Sequence, residues 1–218
     1  EELAGWNQPS FSDTKWPNAN VVEPPGGVLV SHLMPPIKVV EHLQPVAVSS
    51  PKPGVHVFDL GQNFAGWARL TATGPRGTRI TLRYAEDLKP DGTIDVKSSE
   101  RALAADVYVM RGEGREVYEP RFTFHGFQFV EVTGFPGVPT LEDLLGCVVH
   151  TASESTGEFA CDNELINRIH RATRWSQRSN LMGYPMDCPQ RDERLGWFGD
   201  AMVAMEEAMF NFDLPLFY

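Results

Sequence analysis

Between Tyr184 and Asp200 the chain reads YPMDCPQRDERLGWFGD. Asp187, Asp192, Glu193 and Asp200 supply carboxylates, with Arg191, Arg194 and Trp197 interleaved. Glycoside hydrolysis needs this kind of inventory. One carboxyl must stay protonated to donate to the leaving oxygen. A neighbouring negative charge or partial burial raises the pKa of such an acid. Arg and Asp hold sugar hydroxyls by directed hydrogen bonds, and an indole face packs against the apolar patch of a sugar ring. The same residues also suit a network of helix caps and surface ion pairs without chemistry. A Ca²⁺ or Mg²⁺ site is the weaker reading, because the spacing matches no EF-hand and the loop carries two arginines.

The elements around the stretch must position it. Asp162 suits an N-cap and Glu164 a first helical turn. Leu165, Ile169, Ala172 and Trp175 then fall on one stripe of a helix running to about residue 181. Gly183, Pro185 and Pro189 keep the following stretch irregular. A second helix is predicted over about 199–211, with Met202, Met205 and Met209 on a face read as core.

Upstream, from about residue 37, the pattern has period two. Val55, Val57 and Asp59 alternate with His56, Phe58 and Leu60; Ala68, Leu70 and Ala72 alternate with Arg69, Thr71 and Thr73. Ile80, Leu82 and Tyr84 share a face, as do Val107 and Val109. These are half-buried strands. Pro75-Arg76-Gly77 and Gly112-Glu113-Gly114 sit at hairpin distance between strands. Phe122 and Phe124 share one parity and Phe127 and Phe129 the other, which predicts a β-bulge at His125-Gly126. Residues 87–103 are charged, without alternation, and read as a long loop over one sheet edge. The class is mainly β: an antiparallel sandwich over 37–155, then a helical segment over 156–218. Residues 1–36, broken by Pro24-Pro25-Gly26-Gly27 and Pro35-Pro36, read as a linker or the tail of a preceding domain.

Composition narrows the partners. Apolar residues make up 42% and charged residues 22%, enough for a real core. A net charge of −10 argues against nucleic acid or an anionic membrane surface as partner. No apolar run approaches the ~20 residues of a membrane span. Cys147, Cys161 and Cys188 lack CxxC spacing and read as buried free thiols, which fits a reducing, cytoplasmic location. The chain opens on Glu1 and stops at Leu216-Phe217-Tyr218 inside an apolar pattern, so the expectation is an internal piece of a longer protein.

Tyr184 to Asp200 resembles the start of the catalytic domain of bacterial α-L-rhamnosidases. Upstream blocks fit in the family's order: Phe58-Asp59-Leu60-Gly61-Gln62-Asn63-Phe64-Ala65-Gly66-Trp67, then Leu82-Arg83-Tyr84-Ala85-Glu86, then Phe122-Thr123-Phe124-His125-Gly126-Phe127. The resemblance implies a concanavalin-like sandwich followed by the first hairpin of an incomplete (α/α)6 toroid. It implies inverting hydrolysis of rhamnose-containing glycosides or polysaccharides, with no metal and no organic cofactor. Glu193 falls on the family's general acid. Asp187, Arg191, Trp197 and Asp200 fall on positions of the rhamnose pocket, with Asp192 and Arg194 as supports. A Trp197 wall suits the C6 methyl of rhamnose.

The resemblance also places the general base far downstream, beyond Tyr218. The expectation is that residues 1–218 do not turn over substrate alone, and that Glu193, lacking most pocket walls, titrates closer to its ordinary value. An alternative is a carbohydrate-binding or structural sandwich with Asn63, Phe64 and Trp67 as a stacking patch; against it, large aromatics are mostly buried. Another inverting glycosidase on the same toroid is a further alternative. His125 reads as a hydrogen-bonded residue at a bulge.

Overall fold

The computed structural model describes residues 3 and 5–218; residues 1, 2 and 4, at the start of the expected 1–36 segment, lie outside the described residues. The chain separates into two units, Glu1–His32 and Leu33–Tyr218. The described part of the first holds turns but no helix or strand. Within it Phe11 packs on Trp16 at 5.3 Å between ring centroids.

The second unit begins with ten strands: β1 (Ile37–Leu43), β2 (Ala47–Lys52), β3 (Val55–Thr73), β4 (Arg79–Ala85), β5 (Asp87–Leu88), β6 (Ile94–Asp95), β7 (Ala105–Val109), β8 (Arg115–Tyr118), β9 (His125–Thr133) and β10 (Leu144–Thr151). Two helices follow, α1 (Glu164–Ser179) and α2 (Phe198–Asn211). One antiparallel sheet runs β1-β10-β3-β9-β4-β7, with β2 and β8 also paired to β3. The small pair β5-β6 stands apart from it.

The 19-residue β3 explains how one sheet makes two layers. Its first half pairs with β2 and β9, its second with β10 and β8. The sheet therefore curls around β3. The alternating residues Ile80, Leu82 and Tyr84 of β4 and Ala68, Leu70 and Ala72 of β3 point into the shared core with Phe58, Phe64, Phe127, Val130 and Val132. Val57 is buried on the opposite face, beside Ala85 and Ile94, so β3 is covered on both sides there.

Several local expectations change. Neither Gly/Pro turn makes a hairpin: β3 does not pair with β4, nor β7 with β8. Instead β4 pairs with β7 and β3 with β8, so both turns are corners of the curl. The corners lie side by side, with Gly77 N–H donating to the Met110 carbonyl at 2.9 Å and Met110 N–H to Thr78 at 2.8 Å. Glu116 sits inside this junction and accepts the backbone N–H groups of Arg111, Gly112 and Glu113 and the Tyr108 hydroxyl. The register shift against β9 falls on β3, between Asp59 and Phe64, and not at His125-Gly126. The parity change there has a simpler cause: β9 begins at His125, so Phe122 and Phe124 precede the strand. Val107 and Val109 face outward, and the core side of β7 carries Tyr108. Residues 87–103 hold β5, β6 and a short 3-10 turn at Lys97–Ser99 rather than bare loop, with Ile94 buried as the anchor.

The helical segment also departs from expectation. Asn163, not Asp162, caps α1, accepting the N–H groups of Leu165 and Ile166. The side of α1 turned to the sandwich presents Trp175, which packs on the sandwich core, while Leu165 and Ile169 are exposed. The Met stripe of α2 is not core: Met202 and Met209 are exposed, and Ala201, Ala208 and Asn211 are the buried residues of α2. The two helices are joined through polar groups. Asn211 Oδ1 accepts from Arg174 at 2.8 Å and bonds His170 Nε2 at 2.9 Å. No helix among the described residues is long and apolar enough to cross a membrane.

Candidate active site

The acidic stretch forms the irregular connection between α1 and α2. Its first half is fixed to the sandwich. Thr151 N–H donates to the Leu181 carbonyl at 2.7 Å. Met182 and Met186 are buried with Ala65 and Val149 against Trp67 and Phe124. Gly126 lets the connection lie flat on β9: a Cβ there would stand 2.8 Å from Gln190 N and 2.9 Å from Pro189 Cγ. The glycine read as a bulge residue is a seat for this loop. With its base held, the stretch from Asp187 to Arg194 has little freedom to splay its charges apart.

Asp187 and Glu193 come together, one carboxyl oxygen of each lying within 4.8 Å of the other and of the Cys188 sulfur. Asp187 also accepts the Leu195 N–H at 3.0 Å and the Cys188 thiol at 2.8 Å. Arg191 spans the other side, with Nη2 on Glu193 Oε2 at 3.1 Å and Nε on Cys188 Sγ at 3.3 Å. Arg194 stacks its guanidinium over Phe124 at 4.2 Å and donates to the Arg191 carbonyl at 3.2 Å. The Tyr184 hydroxyl holds the Arg194 carbonyl at 2.8 Å.

The paired carboxyls are pushed apart in pKa. Glu193 is raised, first by its hydrogen bond with Asp187, then by loss of hydration and the Asp187 charge, against the opposing pull of Arg191. Burial pushes Asp187 up, but hydrogen bonds from Cys188, Glu193 and the Leu195 N–H outweigh it and leave it below its usual range. The two shifts run in opposite directions, the sense that an acid beside an anion requires. The raising charges come from within this chain, from Asp187 in the same loop and from Glu100. Burial and Asp187 raise the Cys188 thiol, so it is a hydrogen-bonding group and not a ready nucleophile.

Trp197 and Asp200 stand elsewhere. Trp197 is the N-cap residue of α2, 49% exposed, and Asp200 is exposed in the helix's first turn. Neither bonds the Asp187–Glu193 pair among the described residues. Asp192 turns away from the pair to Arg101, at 2.9 Å.

Sequence reasoning missed the partners from the sandwich. Glu100 Oε1 lies 3.2 Å from Arg191 Nη1, and Arg101 holds Asp192, both from the segment read as a featureless edge loop. Cys188, taken only as a buried thiol, is a partner of both Asp187 and Arg191. Cys147 and Cys188 are buried as expected, but Cys161 is only half-buried. His125 is buried, stacked on Tyr84 at 4.1 Å and 3.2 Å from Asp106, within the sandwich and apart from a bulge.

Asp187, Cys188 and Glu193 bring one potential ligand atom each within 4.8 Å of one another. The Arg191 guanidinium already occupies that side of Glu193 and Cys188, so the donor set does not favour a cation.

Comparison with known proteins gives two consecutive matches. The bacterial alpha-L-rhamnosidase concanavalin-like domain matches residues 49–150, and the bacterial alpha-L-rhamnosidase 6 hairpin glycosidase domain matches residues 154–218. An alpha-L-rhamnosidase of Streptomyces avermitilis is 43% identical across 100% of this chain, which covers 21% of that protein. The solved structure of alpha-L-rhamnosidase from Dictyoglumus thermophilum superposes with a TM-score of 0.94 at 55% identity, over 98% of this chain and 24% of that one. The Streptomyces avermitilis enzyme complexed with L-rhamnose gives a TM-score of 0.91 at 44% identity, over 98% of this chain and 21% of that one. The chain thus spans about a fifth of the length of the curated relatives it matches.

Proposed function

The chain belongs to the bacterial α-L-rhamnosidase family, and we propose that the complete protein hydrolyses terminal α-L-rhamnosides with inversion, using Glu193 as general acid. The observation that carries this reading is the Asp187–Glu193 pair, within 4.8 Å of each other, beside Arg191. Glu193 gives its proton to the glycosidic oxygen as the bond from C1 to that oxygen breaks. Water attacks C1 from the opposite face and loses its proton to a separate base. Arg191, already on Glu193, offsets the charge left on the acid.

Asp187 does not fill the role of that base. An inverting pair stands ~6.5–9.5 Å apart to admit water between the carboxyls. Asp187 lies within 4.8 Å of Glu193, too close for that, so its work is to hold the acid's proton and to offer its free lone pairs to a sugar hydroxyl. The base therefore comes from outside the Asp187–Arg194 cluster. Arg191 and Asp187 are read as rhamnose-binding, with Trp197 and Asp200 flanking from the start of α2. Asp192 and Arg194 brace the loop. The substrates are rhamnose-containing glycosides, as for the relatives.

The sandwich-only reading finds less support. Phe64 is 1% exposed, packed at 4.6 Å on Phe127. The Trp67 indole is half-buried and donates to Glu119 at 3.0 Å, and Asn63 donates to Glu86 at 2.8 Å. These groups are already occupied, and no stacking patch is formed by them.

The test is Glu193→Gln in the complete protein, assayed on two aryl α-L-rhamnosides. With a poor leaving group kcat/KM is expected to fall about 10²–10⁴-fold, the usual worth of acid assistance. An activated aryl leaving group needs less protonation, so its loss is expected to be smaller. Undiminished hydrolysis of the poor substrate overturns the assignment.

A further inference from the structure

We propose that Glu100, delivered from the sandwich, is a positioning residue that divides Arg191 between two carboxylates and so keeps Glu193 fit to act as acid. The proposal rests on the reading of Glu193 above.

Arg191 has three partners. Nε reaches Cys188, Nη2 reaches Glu193 at 3.1 Å, and Nη1 reaches Glu100 at 3.2 Å. A guanidinium given wholly to Glu193 would hold that carboxyl ionised, the wrong state for a proton donor. Glu100 draws on the same guanidinium from its far side. It also adds a like charge near Glu193, and that charge acts to raise the acid. Both effects have one sign. After proton transfer the same Arg191 stays in contact with the new anion, so the arrangement supports both states of Glu193.

Glu100 is built to stay in place. It holds φ 50, a left-handed conformation uncommon for a residue with a side chain. Such a conformation persists where the surroundings over-determine it. Its N–H closes the short 3-10 turn on the Lys97 carbonyl, and Ser99 before it is buried. Arg101 after it pins Asp192 at 2.9 Å. Two adjacent residues of the sandwich thus grip two adjacent residues around the acid. The charged and titratable groups facing Glu193 among the described residues are Asp187, Cys188 and Arg191 from its own loop and Glu100 from the sandwich.

The experiment compares wild type, Glu100→Gln, Glu100→Asp, Arg101→Gln and Glu193→Gln in the complete protein. Each is assayed for kcat/KM across pH on aryl α-L-rhamnosides with poor and activated leaving groups. The acid works only while protonated, so loss of Glu100 is expected to move the basic limb of the profile to lower pH. Activity on that limb should fall about three- to tenfold for the poor leaving group and less for the activated one. Glu100→Asp should recover part of the loss. Arg101→Gln is expected to lower kcat/KM without moving the limb, since its partner is Asp192. A basic limb unmoved in Glu100→Gln overturns the proposal. So does an equal loss at every pH and on both leaving groups, which would show only loop support. If wild type hydrolyses and Glu193→Gln does not, that failure leaves the function standing. A wild type inactive on rhamnosides, or Glu193→Gln unimpaired, takes both readings down together.

Discussion

The sandwich and the helical pair have similar apolar wealth and opposite uses for it. In the sandwich Phe58, Ile80, Leu82, Tyr84 and Phe127 are completely buried. In the helices Leu165, Ile169, Met202, Val203 and Phe210 are exposed, while Gln177, Ser179 and Asn211 are inside. A sheet curled around one long strand finds partners for each inward residue within the same chain. A helix stripe needs another helix opposite, and these two meet through Asn211, Arg174 and His170 instead. The acidic connection between the helices is held to the sandwich through Met182, Met186, the Gly126 seat and Glu100.

The comparison breaks if the sandwich core is replaceable. Phe127 packs between Phe64, tilted at 4.6 Å, and Tyr84, edge-on at 4.7 Å, with no exposed surface. Phe127→Ala is expected to cost about 3–5 kcal/mol through lost burial and a cavity bounded by paired strands. Urea unfolding of the 218-residue chain measures it, and a cost below ~1 kcal/mol would mean the core is loosely packed.

A smaller effect sharpens the account of the sheet's corners. Burial alone would raise the Glu116 carboxyl, but the Tyr108 hydroxyl and three backbone N–H groups push it down to about 2. Its ordinary value is 4.5. The folded state therefore gains from ionised Glu116 above pH 4.5, and the gain drains away as pH falls toward 2. Glu116→Gln is expected to destabilise the chain by about 2 kcal/mol at pH 7. The gap to wild type should narrow steadily on acidification below the ordinary carboxylate value. A gap independent of pH would assign the loss to packing and not to charge.

How much of this was legible in the sequence follows from the range of each signal. Alternation in 68–73 and 80–84 located strands and their buried faces, because period two is a local pattern. Strand pairing is not local. The turns at Gly77 and Gly112–Gly114 carry hairpin residues, yet they turn corners because β4 and β7 prefer each other. At the site, the loop's charges announced themselves by type and spacing. The Asp187–Glu193 contact was within reach of the same reasoning, since six residues of irregular chain can bring two carboxyls together. Glu100 and Arg101 were not, because ninety residues separate them from Arg191 and Asp192. One signal could have found them: a charged segment without period-two patterning, placed between two core strands, has to lie over something. The Met stripe misled for a related reason. Helical periodicity identifies an apolar face without saying what that face meets.

The smallest expected effect is the most direct test of the contrast. Ile169 is 57% exposed on α1, on the stripe that sequence periodicity reads as buried. Truncating an exposed side chain removes little burial and opens no cavity, so Ile169→Ala should change the stability of the 218-residue chain by no more than about 0.5 kcal/mol. Alanine's better helix propensity offsets part of even that. In the complete protein the same stripe has neighbours to meet if the matched six-hairpin domain closes around it. There the substitution should cost about 2–5 kcal/mol, the ordinary range for Ile→Ala in a packed site. Thermal or urea unfolding of both proteins, each with and without the substitution, gives the difference. Equal small costs in both would show that this face of α1 stays open to solvent. A large cost already in the 218-residue chain would show that the hairpin buries its stripe without help, and would remove the contrast with the sandwich.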